Sequence, residues 1–320
     1  MNAKIYTSGD TLPPDLMEEN FFHSGRFFAL CQQTPRHRPY LATLADSSGH
    51  TVAQLLAVVR YRSTWLPPYL YMHCRIMGEG VYQTDDAQQR TEYFNLMLRA
   101  ITSKLGPRMF YMELSHLSHK MFGYSNLRDQ RYFPVRWMSI HNSLHSHTPE
   151  ERIGPRLQRR IDNAYRRGAT TDEVMTTADF NEFMKLMRKH NWSKPRRFIP
   201  PKEFFSQLHD QPNDGRLFVT RYHGHIVGCS AVVYSSGQAY LWYAAYRRKS
   251  YAMIHPRELT VWHAIKDAHQ RGYQHIFFMD VGLPFRKNTF RDFILRFGGK
   301  PVSTYRWFRF SVKWLNSLLS

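Results

Sequence analysis

Leu41–Val59 reads LATLADSSGHTVAQLLAVV, and Leu217–Val233 reads LFVTRYHGHIVGCSAVV. Each is a strand, a tight polar turn carrying Gly-His (Gly49-His50, Gly224-His225) and a longer strand, with β-branched residues and turn formers in matching places. A second pair lies downstream. Ala100–Leu114 reads AITSKLGPRMFYMEL, and Ala264–Val281 reads AIKDAHQRGYQHIFFMDV. Each is a helix closed by glycine (Gly106, Gly272), which accepts the left-handed conformation that ends a helix. An apolar strand ending near an acid (Glu113, Asp280) follows. One matching hairpin would mean little; the ordered set predicts a tandem duplication.

Working outward, each half reads as helix, hairpin, third strand, helix, strand. In the first half the spacing predicts a helix over 22–33, strands near 39–46, 51–61 and 70–76, a helix near 86–105 and a strand near 108–115. In the second it predicts a basic helix near 150–167 and helices near 178–191 and 201–209. Strands near 216–222, 225–235 and 238–245 follow, then a helix near 256–271 and a strand near 275–281. A short helix near 288–297 and an aromatic strand near 301–311 close the chain. This mixture predicts an α/β (α+β) fold of two tandem units, each a mixed twisted sheet flanked by helices. The polar stretch His145–Pro149 sets the expected domains at 1–148 and 149–320.

The 320 residues carry 44 Lys and Arg against 25 Asp and Glu, a net charge of +19. With 42% hydrophobic and 15% aromatic residues the chain is too apolar for a disordered basic tail. The excess is uneven: residues 1–148 hold 15 basic and 11 acidic side chains, residues 149–320 hold 29 and 14. A negative partner is therefore expected at the second unit: nucleic acid, a phosphorylated metabolite or an anionic membrane. Cys31, Cys74 and Cys229 are far apart and form no C-x-x-C pair, so neither a disulfide framework nor a zinc ribbon is indicated. No metal is expected. The opening MNAKIYTSGD lacks a signal-peptide pattern, and no run reaches the ~18 apolar residues of a membrane span. The cytoplasm is the expected location, with the inner face of the membrane as an extension of it.

Glu150–Gly168 reads EERIGPRLQRRIDNAYRRG. Ile153, Leu157, Ile161, Ala164 and Tyr165 form one helical stripe. Arg152, Arg156, Arg159, Arg160, Arg166 and Arg167 crowd the polar face around a single Asp162. Like charges on one face destabilise a helix, so this face is either solvated or built for an anion, whose planar oxygens suit the arginine fork. Taken with other segments, this helix resembles the Fem-type peptidyl- and acyltransferases, a branch of the GNAT (Gcn5-related N-acetyltransferase) superfamily with two GNAT-like units in tandem. FFHSGRF (Phe21–Phe27) resembles the family's opening helix and LQRRIDNAYRRG (Leu157–Gly168) its basic helix. YLWYAAY (Tyr240–Tyr246) with PRELTVWHAIKDAHQRGYQHIFFMDVG (Pro256–Gly282) resembles its fourth strand, long helix and Asp-Gly strand end. FILRFGGKP (Phe293–Pro301) resembles its closing turn. The resemblance implies transfer of an acyl or aminoacyl group to an amine of a cell-envelope glycoconjugate or its precursor. It implies acyl-CoA or aminoacyl-tRNA as donor and a phosphorylated or lipid-linked sugar as acceptor.

The family binds CoA pyrophosphate with a glycine-rich turn at a helix N-terminus, where backbone N–H groups and the dipole suit the anion. The matching stretch, Tyr246–His255, contains no glycine. Arg247 and Arg248 are candidates to supply charge instead, with Arg159, Arg160, Tyr240, Tyr246 and His255 completing the substrate-binding set. Aminolysis needs a neutral amine, a polarised carbonyl and a proton route to the leaving group. Asp280, Tyr243 and Arg296 are the catalytic candidates. Where the peptidoglycan branch has lysine in the closing turn this chain has Ile294, with Arg291 or Arg296 left to supply the charge. TYRWFRFSVKWLNSLL (Thr304–Leu319) mixes cations with aromatics, as an anionic membrane contact or a terminal strand and helix would. The competing reading is a non-catalytic basic protein, with a degenerate fold of the same type, that binds RNA or a membrane surface.

Overall fold

The computed structural model describes residues 2–63, 67, 69–115, 118, 120–192, 198–247, 250–279, 281–285 and 287–319. They fall into two units: residues 1–137 with 303–320, and residues 138–302.

The first unit opens with β1 (Lys4–Thr7) and α1 (Gly25–Gln33), whose first turn is capped by the Ser24 hydroxyl accepting from the Phe27 amide. The quoted hairpin is β2 (His37–Ala45) and β3 (Thr51–Ser63), followed by β4 (Leu70–Met77) and the two-residue β5 (Val81–Tyr82). α2 (Ala87–Leu105) starts at Asp86, whose carboxylate accepts from the Gln88 and Gln89 amides, a cap that contributes about 1 kcal/mol. Its buried stripe, with Phe94, Met97, Leu98 and Ile101, packs on β2 and β3. β6 (Tyr111–Ser115), α3 (Tyr124–Asp129) and the start of β7 (Phe133–Ser143) complete this half of the chain.

The second unit repeats the sequence of elements after α4 (Pro155–Arg166): β8 (Thr170–Glu173), α5 (Thr177–Asn191), α6 (Lys202–His209), β9 (Gly215–Tyr222), β10 (His225–Ser235), β11 (Gln238–Tyr246), α7 (Pro256–Gln270), β12 (His275–Phe278) and α8 (Thr289–Ile294). α5 and α7 both pack on β10 and β11. β13 (Lys300–Phe310) and α9 (Lys313–Leu319) end the chain.

The division is not at 148/149 as the polar stretch suggested. It falls inside strands, at 137/138 in β7 and 302/303 in β13. The sheet of the first unit runs β1-β2-β3-β4-β6-β13, with β5 beside β3, and that of the second runs β7-β12-β11-β10-β9-β8. Each half of the chain thus lends its last strand to the other half's sheet. Phe310 pairs with Tyr111, and Ile140 pairs with Phe278. Trp307 in β13 is wholly buried in the first unit's core with Leu114 and Tyr132. β7 runs up to Ser143, two residues short of that polar stretch.

Gly272 and Gly168 end their helices at positive φ as expected, but Gly106 does not: its φ is −49°. It is glycine for space. A Cβ there would stand 2.5 Å from the Thr102 carbonyl oxygen and 2.3 Å from Arg309 Nη1.

Candidate active site

In the second unit the register of β10 against β11 shifts so that Ala231 opposes Tyr243 and Val232 opposes Leu241. Trp242 is the extra residue of a β-bulge, a device that bends a strand and interrupts pairing. On the other side of β11, parallel pairing with β12 runs from Gln238/His275 to Leu241/Phe278 and ends with the Met279 amide 3.4 Å from the Leu241 carbonyl. β11 continues to Tyr246 with no β12 partner among the described residues. Two parallel strands therefore part at their carboxyl ends, where α/β sheets hold ligands.

Beyond the fork, the end of β11 and one face of α5 enclose a cavity of about 280 Å³. Glu182, Lys185, Lys189 and His190 line it from α5, and Tyr246, Arg247 and Ser250 from the chain after the bulge. α5 buries Phe183, Met184 and Met187, so Lys185 and Lys189, one turn apart, share the rim. His190 Nδ1 donates to the Tyr246 carbonyl at 2.8 Å, with the two rings 4.5 Å apart. That bond places a proton on Nδ1. The Arg247 amide donates to the Val227 carbonyl at 2.8 Å and its Nε to that of Ile226 at 3.2 Å, which holds the guanidinium at the rim. Arg257 lies over both the Tyr246 ring and the Phe293 ring.

α7 begins beside this cavity without a side-chain cap. His255 occupies the N-cap at φ 48°, ψ 56°, and Tyr251 sits at φ 66°. Positive φ in residues other than glycine costs roughly 1 kcal/mol or more each, so the loop is held in its shape at a cost. Glu258 in the first turn meets Arg160 Nη1 at 3.6 Å. Arg160 thus reaches the start of α7, whereas Arg159 is exposed and turns back to the Pro155 carbonyl of its own helix at 3.3 Å.

Of the candidates read from sequence, Tyr246 and Arg247 line the cavity, and Arg160 and His255 sit at the helix start. Tyr240 stacks on Phe277 at 5.3 Å, and burial pushes its hydroxyl up to about 12. Tyr243 is buried, edge-on to Phe205 at 5.4 Å. Arg296 is exposed in the 3₁₀ turn 295–297. Asp280 and Arg248 lie outside the described residues. Ile294 is fully buried in the core with Phe293 and Phe297, while Arg291 Nη1 donates to the Leu283 carbonyl at 2.8 Å and so ties the closing helix to the loop after β12. Lys185, Lys189 and His190 are new. Their helical spacing was visible in MKLMRKHN, but nothing local said which face of α5 met a cavity. Among the described residues no group of three His, Cys, Asp or Glu is placed to hold a metal.

Residues 155–287, from the start of α4 to just past β12, match the family model described as Acetyltransferase (GNAT) domain. Three solved structures share the fold. FemX has a TM-score of 0.65 and 11% identity over 94% of this chain and 94% of its own. L-PGS from Bacillus licheniformis has 0.58 and 12% over 88% and 87%. A tandem GNAT protein from the clavulanic acid biosynthesis pathway has 0.55 and 7% over 97% and 99%. A comparison with curated protein sequences finds no match. Residues 155–287 thus carry a GNAT-type acetyltransferase domain, and the chain as a whole shares its fold with FemX and with a tandem GNAT protein.

Proposed function

We propose that this chain transfers an aminoacyl group from aminoacyl-tRNA to an amine of a cell-envelope glycoconjugate or its lipid-linked precursor. The observation that carries the reading is the cationic cavity between α5 and the end of β11, where Lys185, Lys189 and Arg247 outnumber Glu182. Cations there suit a donor or acceptor bearing phosphate. Aminoacyl-tRNA is preferred to acyl-CoA because the start of α7 has no glycine turn and carries Glu258, paired to Arg160, where a pyrophosphate would need free amides. The likeness to FemX and to the C-terminal domain of a putative lysylphosphatidylglycerol synthetase from Agrobacterium fabrum supports an aminoacyl donor and an envelope acceptor.

In the reaction the acceptor amine attacks the ester carbonyl carbon. The new C–N bond forms, the C–O bond to the tRNA ribose breaks, and the amine's proton ends on the departing oxygen. His190, held by Tyr246, and Asp280, which follows the last residue of the fork, are the proposed groups for orienting the amine and moving that proton. Tyr240 and Arg248 are assigned to the cleft wall and to substrate charge.

Purified protein with labelled aminoacyl-tRNA and a panel of amino-sugar acceptors is expected to yield labelled amide, with labelled acetyl-CoA giving much less. Transfer from acetyl-CoA alone reassigns the donor. No transfer from either donor across the panel removes the reading and leaves the non-catalytic one.

A further inference from the structure

One end of the first unit's sheet gathers the starts of β4 and β6 and the end of β13. Leu70 pairs with Ser63, the Phe110 amide donates to the Met72 carbonyl, and Phe310 pairs with Tyr111. The Phe110 ring lies 5.4 Å from Tyr71 and 6.2 Å from Phe310. α9 is fastened to the same end, because Asn316 accepts from the Phe310 amide at 2.7 Å and donates to its carbonyl at 2.8 Å. Large apolar side chains here face outward: Tyr69 is 65% exposed, Leu70 73%, Phe110 45%, Trp314 68% and Leu318 74%. Trp314 and Leu318 are one helical turn apart and form a single stripe.

Isolated exposed apolar residues are ordinary, but this many gathered at one end of a sheet mark a contact surface. Its chemistry is specified by what surrounds it. Next to Leu70 a cleft of about 390 Å³ is lined by Arg36, His37, Arg38, Tyr61 and Ser63, with no acid among the described lining residues. Arg36 and Arg38 are exposed, and Arg38 lies over the Tyr61 ring at 5.1 Å. Arg62 lies over Tyr71 at 5.7 Å, and Arg108 stands exposed two residues before Phe110. Aromatic rings with a Trp-Leu stripe insert at the headgroup level, while flanking arginines meet phosphate.

We propose that this end of the first unit docks on an anionic phospholipid surface. The Trp314/Leu318 stripe and Phe110 enter the headgroup region, and the Arg36–Arg38 cleft takes a lipid phosphate. A protein partner of mixed charge would bring anions and cations alike to the exposed Arg36 and Arg38, whereas an anionic bilayer offers many phosphates at once. The proposal does not depend on the transferase reading.

Co-sedimentation of the full chain with phosphatidylcholine vesicles, with and without phosphatidylglycerol, tests it. Retention is expected on the phosphatidylglycerol vesicles at low salt, weakening as salt rises. Trp314→Ser with Leu318→Ser is expected to weaken retention about tenfold or more. Arg36→Ala with Arg38→Ala should weaken it about fivefold per cation removed. All four sites are on the surface, and unchanged thermal unfolding and circular dichroism verify that the variants fold. Absence of retention on anionic vesicles, or retention indifferent to both pairs of substitutions, overturns the proposal. So does sedimentation velocity showing a dimer of the unmodified chain that the Trp314/Leu318 pair dissociates, since the patch would then be covered by a second copy.

Discussion

The two units build the same place twice and finish it differently. In the second, β11 and β12 separate at Phe278 and Leu241, beside the Trp242 bulge, and a cationic cavity follows. In the first, β4 and β6 stay paired from His73/Tyr111 to Met77/Ser115, and the Gly78 amide continues to the Ser115 carbonyl at 2.7 Å. No bulge interrupts β3 against β4. The chain then turns through Gly80 into β5, which returns to β3. Glu79 fills the space, accepting from Arg90 at 3.0 Å and from Ser118 at 2.7 Å, and the Tyr82 hydroxyl donates to its carbonyl. His23 locks the same turn. Its Nδ1 accepts from the Leu56 amide at 3.0 Å, and burial drives its pKa down to about 3. Glu113, in the middle of β6, lies between Arg75 at 3.8 Å and Arg306 at 3.2 Å. A duplicated fork thus stays open where a bulge interrupts it, and is shut where side chains of its own close it.

The sharpest way to break this contrast is to exchange charge for amide at the two equivalent acids. Asp280→Asn is expected to lower kcat for transfer about a hundredfold or more. Glu113→Gln should leave kcat within about twofold, while leaving two half-buried arginines short of a partner and destabilising the chain by about 3 kcal/mol. Steady-state rates beside denaturant unfolding separate the two, and a large loss of kcat in Glu113→Gln would refute the division of labour.

Next come the closures of the first unit. Trp307→Ala empties a fully buried site on the exchanged strand and is expected to cost about 3–5 kcal/mol. Gly80→Ala places a Cβ 2.7 Å from the Gln54 carbonyl at φ +99° and should cost more than the ~1 kcal/mol of an ordinary glycine at positive φ. Both are read by thermal unfolding, with transfer by the second unit retained below the first transition.

Acid is a gentler probe. His23 is neutral when folded, at about 3, and ordinary at 6.5 when unfolded. Between those values the unfolded chain binds the extra proton, so stability is full above pH 6.5 and falls as pH drops toward 3. The loss by pH 4 is about 3 kcal/mol for this residue alone. His37, also lowered to about 3 by burial and by Arg60, adds to it in the same unit. Hydrogen exchange at pH 7 and pH 4.5 should show protection lost first around Leu56 and Gly80; uniform loss across both units would argue against the lock. The smallest effect is expected from Arg160→Ala. Its pair with Glu258, in which Arg160 is 31% exposed, contributes under ~1 kcal/mol. A change of a few-fold in the KM for donor, with kcat held, would place it at the substrate rather than in the scaffold.

Much of this was legible in advance because it is local. Alternating and helical patterns, with glycine stops, gave the two hairpins, the long helices and their order, and the repeat gave the fold class. The elements that escaped are the short or ambiguous ones. KIYT and TTDE are four polar-rich residues each. FPVRWMSIHNS carries Pro134 and no clean alternation, both of which argue against a strand.

By itself, then, the sequence determined that there are two related units, that the second is the basic one, and which helices and strands each contains. Periodicity and turn chemistry act over a few residues and need no partner. Tertiary structure decided the rest. It gave each unit the other half's last strand, because an edge is satisfied by whichever strand packing brings to it. It opened one fork and shut the other, through a one-residue register shift in β11 and a buried histidine that reaches the Met77 carbonyl more than fifty positions away. It also chose which face of α5 meets the cavity, since burial of Phe183 and Met187 leaves Lys185 and Lys189 only one way to point.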